Sequence, residues 1–213
     1  MANDDHREAS AGFESIYAEA ARGARGIPWD LHAPNPLLIG WFDRAAPQPH
    51  SDGRRAIVVG AGTGDDAAFV ARQGYATTAF DIAPSAVEAA RERHPDSTAE
   101  FVVADLLTLP GEWRGGFDLV IEIRTVQSLP RSLREDAIRE VVRLVAPGGT
   151  VVVIAAASDS PRIEGPPWPL TRAELDGFER AGLAPVAVDC VFRDGIGPFA
   201  SHWLAEYTRA ASD

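Results

Sequence analysis

The chain has 213 residues, 46% of them hydrophobic and 24% charged, which fits a single α/β domain with a few additions. Its formal net charge of −11 offers no basic face to replace phosphate counterions, so a nucleic-acid partner is not expected. No apolar run approaches the roughly 20 residues of a membrane helix, and the lone Cys190 can form no internal disulfide, as suits a reducing cytoplasm.

Residues 1–10 are polar and aperiodic and read as a frayed terminus. From Ala11 to Arg22, the residues Phe13, Ile16, Tyr17 and Ala20 recur at helical spacing. A Gly/Pro-rich segment, Gly23 to Pro36, carries Trp29, Asp30 and His32, and Leu37 to Arg44 reads as a short helix. Strands and helices then alternate. Strands are expected at Ala56–Val59, Ala76–Phe80, Phe101–Val103, Phe117–Ile121 and Thr150–Ala155. Helices are expected between them at Asp65–Gln73, at Ser85–Arg93 behind Pro84, and at Ser132–Leu144. Strands that are apolar throughout and separated by helices imply a parallel sheet covered on both faces.

Beyond the Ala156–Pro169 loop, Thr171 is an N-cap and Glu174 completes a capping box for a helix to Ala181. Two closing strands, Pro185–Phe192 and His202–Thr208, are separated by Gly195, Gly197 and Pro198, as in a hairpin. His202 and Trp203 alternate on the last strand, and core packing is the expected role of the inward one.

The chemistry concentrates at the first strand's end. Gly60-Ala61-Gly62-Thr63-Gly64 falls between a strand and its helix, where glycine permits a tight turn and close approach of a ligand. Asp81 ends the second strand about twenty residues on, where a carboxylate can accept both ribose hydroxyl protons. Nicotinamide and flavin sites prefer a third glycine one place later, facing a pyrophosphate. That place is Asp65, followed by Asp66, and two carboxylates there would repel a pyrophosphate but not a sulfonium cofactor. Asp105 ends the third strand, where an acceptor can meet an adenine amino group, and Glu122 follows the fourth.

These residues, with Phe117-Asp118-Leu119-Val120 and Pro147-Gly148-Gly149, resemble the class I S-adenosylmethionine-dependent methyltransferases from about Trp29 to Arg209. The resemblance implies a Rossmann-like, seven-stranded, mostly parallel sheet with helices on both faces and an antiparallel last strand. An N-terminal helix and lid (1–45) would precede the core (46–213) of a single domain.

It also implies a cofactor site of Trp29, Gly60, Ala61, Gly62, Gly64, Asp81, Ile82, Asp105, Leu106 and Glu122, with Glu122 near the methionyl end. Ile27-Pro28-Trp29-Asp30 and Glu164 to Thr171 are similar to segments of the thiopurine, halide and thiol branch, which points to a small-molecule acceptor methylated on sulfur, with oxygen or nitrogen as alternatives. That branch often has Arg-Gly after its fourth-strand acid, where this chain reads Glu122-Ile123-Arg124. Other small-molecule members often carry His-His at Gln127-Ser128.

Tyr17, His32, Arg124 and Gln127 are the candidate catalytic residues, with Trp168 a further pocket residue. Each has a plainer alternative: helix packing for Tyr17, a solvated ring for His32, a surface ion pair for Arg124, a turn cap for Gln127 and loop packing for Trp168. No metal spacing is present. A monomer or homodimer is expected, and an oxidoreductase or noncatalytic binding protein stands as a remote alternative.

Overall fold

The computed structural model describes residues 2–45, 53–158, 168–193 and 199–211. Its seven strands are β1 (Arg55–Val59), β2 (Ala76–Asp81), β3 (Glu100–Val103), β4 (Phe117–Ile123), β5 (Val145–Ala156), β6 (Ala184–Phe192) and β7 (Ser201–Thr208). They form one sheet in the order β3-β2-β1-β4-β5-β7-β6. The first five run parallel, and β7 lies antiparallel between β5 and β6. This is the Rossmann-like architecture expected. The hairpin turn read at Gly195, Gly197 and Pro198, and the loop residues 159–167, lie outside the described residues.

The helices are α1 (Ala2–Ala21), α2 (Pro36–Ala45), α3 (Asp65–Arg72), α4 (Pro84–Arg93), α5 (Thr125–Ser128), α6 (Arg134–Leu144), α7 (Arg172–Leu175) and α8 (Gly177–Arg180). One apolar cluster packs α2, α3 and α4 against the sheet through Leu38, Trp41, Val70, Val87 and Ile121. The opposite cluster packs α6, α7 and α8 through Ile138, Val141, Leu175 and Phe178. Because both faces are covered, Val58 and Val120 are buried at neighbouring positions on β1 and β4, and alternation gives way to continuous apolar runs. Among the described residues no helix is long and apolar enough to cross a membrane.

Three elements depart from the sequence reading. The frayed terminus expected at 1–10 is helical from Ala2. Docking supplies what periodicity did not: α1 packs on α4, and the Glu14 carboxylate accepts from Ser85 N–H (3.1 Å) and Oγ (2.6 Å). Once a helix is nucleated in this way, each further turn costs little.

The Ala146-Pro147-Gly148-Gly149 stop lies inside β5, where pairing with β4 skips from Val145 to Thr150. A Cβ on Gly149 would fall 2.9 Å from Phe117 O, so the glycine lets the irregular strand close up on β4. The helix expected from Thr171 to Ala181 breaks at Asp176 into α7 and α8. Gly177 allows that break to approach α6, since a Cβ there would sit 3.0 Å from Ile138. The capping box itself forms as read.

A buried arginine ties α5, α6 and α7 together. Arg134, 2% exposed, donates to Glu174 Oε1 (2.6 Å), Trp168 O (2.8 Å), Gln127 O (3.0 Å) and Leu129 O (3.3 Å). Its guanidinium also lies 5.9 Å from the Trp168 ring centroid. The planar five-donor fork suits this task, and a point-charge ammonium does not. Arg134→Ala would leave three carbonyls and a carboxylate short of a donor. It is expected to cost about 3 kcal/mol in urea unfolding, with Arg134→Lys recovering only part.

Candidate active site

The strand ends and the lid segment enclose one cavity of about 460 Å³. At one end, Gly60 and Gly62 adopt φ of +62° and +53°, a region open to glycine but strained for other residues. The Asp81 carboxylate accepts from Gly62 N–H through Oδ2 (2.9 Å) and from Ala83 N–H through Oδ1 (3.0 Å). Burial pushes its pKa up, and the N–H groups of Ala83, Gly62 and Ile82 pull it back. A carboxylate has about four lone-pair sites, so two bonds leave room for a ligand's hydroxyl groups. Asp105 is fixed likewise, its Oδ1 accepting from Leu107 N–H at 2.9 Å.

The lid closes over this end. Trp29 Nε1 donates to Tyr17 Oη at 3.0 Å, and Tyr17 and Phe13 meet the Trp29 ring edge-on. A Cβ on Gly62 would fall 2.9 Å from Tyr17 Oη, so the turn must be glycine for Tyr17 to lie against it. Burial, then the charge of Asp81, pushes the Tyr17 phenol well above its usual range, which makes it a poor base.

A latch holds the lid down. Arg93 bridges Asp30 of the lid (Nη2–Oδ2 2.7 Å) to Asp65 at the start of α3 (Nη1–Oδ2 2.8 Å), and Asn35 N–H donates to Asp66 Oδ1 at 2.6 Å. Desolvation pushes the Asp66 carboxyl up to about 6. Asp65 therefore has a cationic partner, and its charge argues less strongly against a pyrophosphate than the sequence suggests.

At the other end the wall comes from the β4–α5 junction, the end of β5 and the start of β7. Arg124, with φ of +62°, lines the cavity beside Gln127 and Ser128. Burial lowers the guanidinium's pKa, and Asp66 opposes the fall. Gln127 Oε1 accepts from Ala156 N–H at 2.6 Å, so its NH₂ is the group left for a ligand.

Most of the expected residues come together here: Tyr17, Trp29, Gly60, Ala61, Gly62, Asp81, Ile82, Asp105, Leu106, Arg124 and Gln127 all line the cavity. Three do not. The His32 side chain is 79% exposed and lies 3.5 Å from Asp30, outside the cavity. A Cβ on Gly64 would fall 2.8 Å from the Phe101 ring and 2.9 Å from Ala90, so that glycine serves the packing of β3 and α4.

Glu122 lies within β4, not after it, and is wholly buried behind the wall, where Oε1 accepts from Thr125 and Val126 N–H. Trp168 packs on Arg134 instead of lining the pocket. Phe13, Phe199 and the buried His202 line the cavity without having been read as site residues. The alternation at His202 and Trp203 was the available signal, but both side chains are buried.

Residues 56–149 match a protein-family model described as a methyltransferase domain. The chain is 29% identical over 170 residues to a 2-heptyl-1-hydroxyquinolin-4(1H)-one methyltransferase of Mycobacteroides abscessus, covering 76% of this chain and 72% of that protein. It is 33% identical over 158 residues to a ubiquinone biosynthesis O-methyltransferase of Xanthomonas campestris pv. campestris, covering 70% of this chain and 64% of that one. Its fold matches an N-methyltransferase of Bradyrhizobium japonicum solved with S-adenosyl-L-homocysteine, with TM-score 0.71, 19% identity and coverage of 94% and 98%.

Residues 56–149 thus form an S-adenosylmethionine-dependent methyltransferase domain, and the donor is S-adenosylmethionine. The choice between methyl donor and dinucleotide rests on that match more than on Asp65. The cavity fits such a donor: a glycine cradle that a Cβ would fill at Gly62, next to a strand-end carboxylate with acceptor sites to spare.

Asp81→Ala is expected to weaken S-adenosylhomocysteine binding at least tenfold by calorimetry, the scale of lost hydrogen bonds to a charged group. Arg93→Ala unlatches the lid and is expected to raise the same dissociation constant about fivefold, mainly through faster release in stopped-flow.

Proposed function

We propose that this methyltransferase methylates an oxygen on an apolar, ring-bearing small molecule. The supporting observation is the acceptor end of the cavity, where apolar Leu129 and Phe199 share the wall with Arg124 and the NH₂ of Gln127. A guanidinium and an amide donor suit an oxygen that gains negative character on losing its proton, and apolar walls suit a hydrocarbon body. The relatives support the same reading. One is named for a hydroxyquinolone with a heptyl tail, the other for O-methylation in ubiquinone biosynthesis.

Bound S-adenosylmethionine would supply a methyl group already activated on sulfur. The chain's work is then to align, desolvate and exclude water. In this reading Asp81 takes the ribose hydroxyls and Asp105 the adenine amino group, while Tyr17 and Trp29 roof the cofactor. Arg124 and Gln127 orient the acceptor. Tyr17 thus belongs to the cofactor lid, and the protein acts in the cytoplasm on a small metabolite, as in secondary metabolism.

The test is release of S-adenosylhomocysteine across 2-heptyl-1-hydroxyquinolin-4(1H)-one, catechols, thiols and amines. Fastest turnover is expected with a hydroxylated ring, falling at least tenfold in Arg124→Met. Turnover of thiols alone would overturn the proposal and return the acceptor to sulfur, the atom favoured by the branch resemblance.

A further inference from the structure

Glu122 is an ionisable residue that is wholly buried and takes no part in the wall of the cavity. Its Oε1 accepts two backbone N–H bonds, from Thr125 (2.8 Å) and Val126 (2.9 Å), and so caps the first turn of α5 from below. Its Oε2 has no hydrogen-bond partner among the described residues.

The capped turn touches both halves of the site. Thr125 Oγ1 donates to Val59 O at 2.9 Å, and its methyl group occupies the space beside Gly60, where a Cβ would fall 2.8 Å away. Arg124, Gln127 and Ser128, on either side of Thr125, form the acceptor wall, with Ser128 Oγ bonded to Arg124 O at 2.7 Å.

We propose that Glu122 is a positioning residue: by capping α5 it holds the acceptor wall against the glycine turn, and losing its charge slackens that wall. A carboxylate accepts hydrogen bonds roughly twice as strong as those of a neutral carboxyl oxygen, so the grip depends on ionisation. The surroundings leave that ionisation poised. Desolvation pushes the carboxyl up to about 7, opposed by the Val126 and Thr125 N–H groups and by Arg134. Arg134 on α6 is the charged group acting on it. Its strand neighbours Val59 on β1 and Val153 on β5 bring no charge, and neither do Thr125 and Val126. The wall is therefore held more tightly above neutral pH than below it.

The linkage has a definite sign. The folded-state pKa lies above the ordinary carboxylate value, so the folded chain keeps an extra proton up to about pH 7. Glu122 thus makes thermal stability fall as pH rises towards neutral and level off beyond it, even as the cap tightens.

The test is an amide NMR titration from pH 5.5 to 8.5 of the S-adenosylhomocysteine-bound protein and of Glu122→Gln, which fixes the side chain in a neutral form. In the wild type, the Thr125 and Val126 amide protons should move downfield through one midpoint near neutral, with Gln127 and Ser128 following at the same midpoint. In Glu122→Gln all four should stay flat and the melting temperature should vary less with pH, while S-adenosylhomocysteine affinity remains within about threefold. Flat Thr125 and Val126 signals in the wild type would overturn the proposal. So would an unchanged titration in the variant, or movement that stops at Val126. Should the variant not fold, the ¹³C-carboxyl shift of Glu122 in the wild type decides: a midpoint near neutral shared with Gln127 and Ser128 supports the proposal, and any other result sinks it.

Discussion

Where parallel strands end and the chain turns into a loop or helix, backbone N–H groups lose their partners, and in a covered sheet no bulk water replaces them. Here carboxylates take those donors. Asp81 takes Gly62 and Ala83, Asp105 takes Leu107, Glu122 takes Thr125 and Val126, and Asp66 takes Asn35. Asp81 and Asp66 so tie together segments remote in sequence, while Asp105 and Glu122 fix the turns that directly follow them. One device thus builds both the rim of the cavity and its polar lining. Asp81, on that rim, satisfies the backbone and still leaves acceptor capacity for a ligand.

The lid uses the opposite logic. Tyr17, Trp29 and Phe13 bury ring area over the glycine turn, which is non-directional, while Arg93 fixes the register through Asp30 and Asp65. Aromatic burial supplies the affinity of lid for core, and the partly exposed ion pair supplies the alignment. The latch sits at the edge of the core, with Arg93 28% exposed and Asp30 5%.

The central sheet was legible because period and punctuation agree there. Apolar runs such as Ile57-Val58-Val59 admit only buried strands, and Pro84 and Thr171 mark helix starts by local chemistry. The glycine turn with Asp81 and Asp105 was legible for the same reason, since each sits at a strand end that the pattern locates. His32 and Glu122 lie off the cavity because residue type and position do not give side-chain direction, and Gly64 because its space is taken by Phe101 and Ala90. His32 turns outward on a left-handed residue, φ +51°, that no local signal announces. Glu122 lies one step inside the strand instead of beyond it, and that step exchanges a cavity wall for the interior. Arg134 escaped notice because its carboxylate partner Glu174 lies 40 positions away in sequence.

The acceptor wall is the least legible part, and the backbone at Arg124 shows why. A non-glycine residue in the left-handed region costs roughly 1–2 kcal/mol, so something must hold it there. Its N–H bonds to Ile154 O at 2.9 Å, continuing the β4–β5 ladder one residue past the strand, and Ser128 Oγ holds its carbonyl at 2.7 Å. The turn of α5 that follows is held in turn by Glu122. The conformation that puts a guanidinium on the cavity wall is thus imposed by the neighbouring strand, the following helix and a buried acid together. None of these constraints is expressed in the residue itself. The donor end repeats one solution at strand ends and is readable for that reason. The opposite end of the cavity is built from contacts that converge on Arg124 from separate elements, and no single residue type announces them.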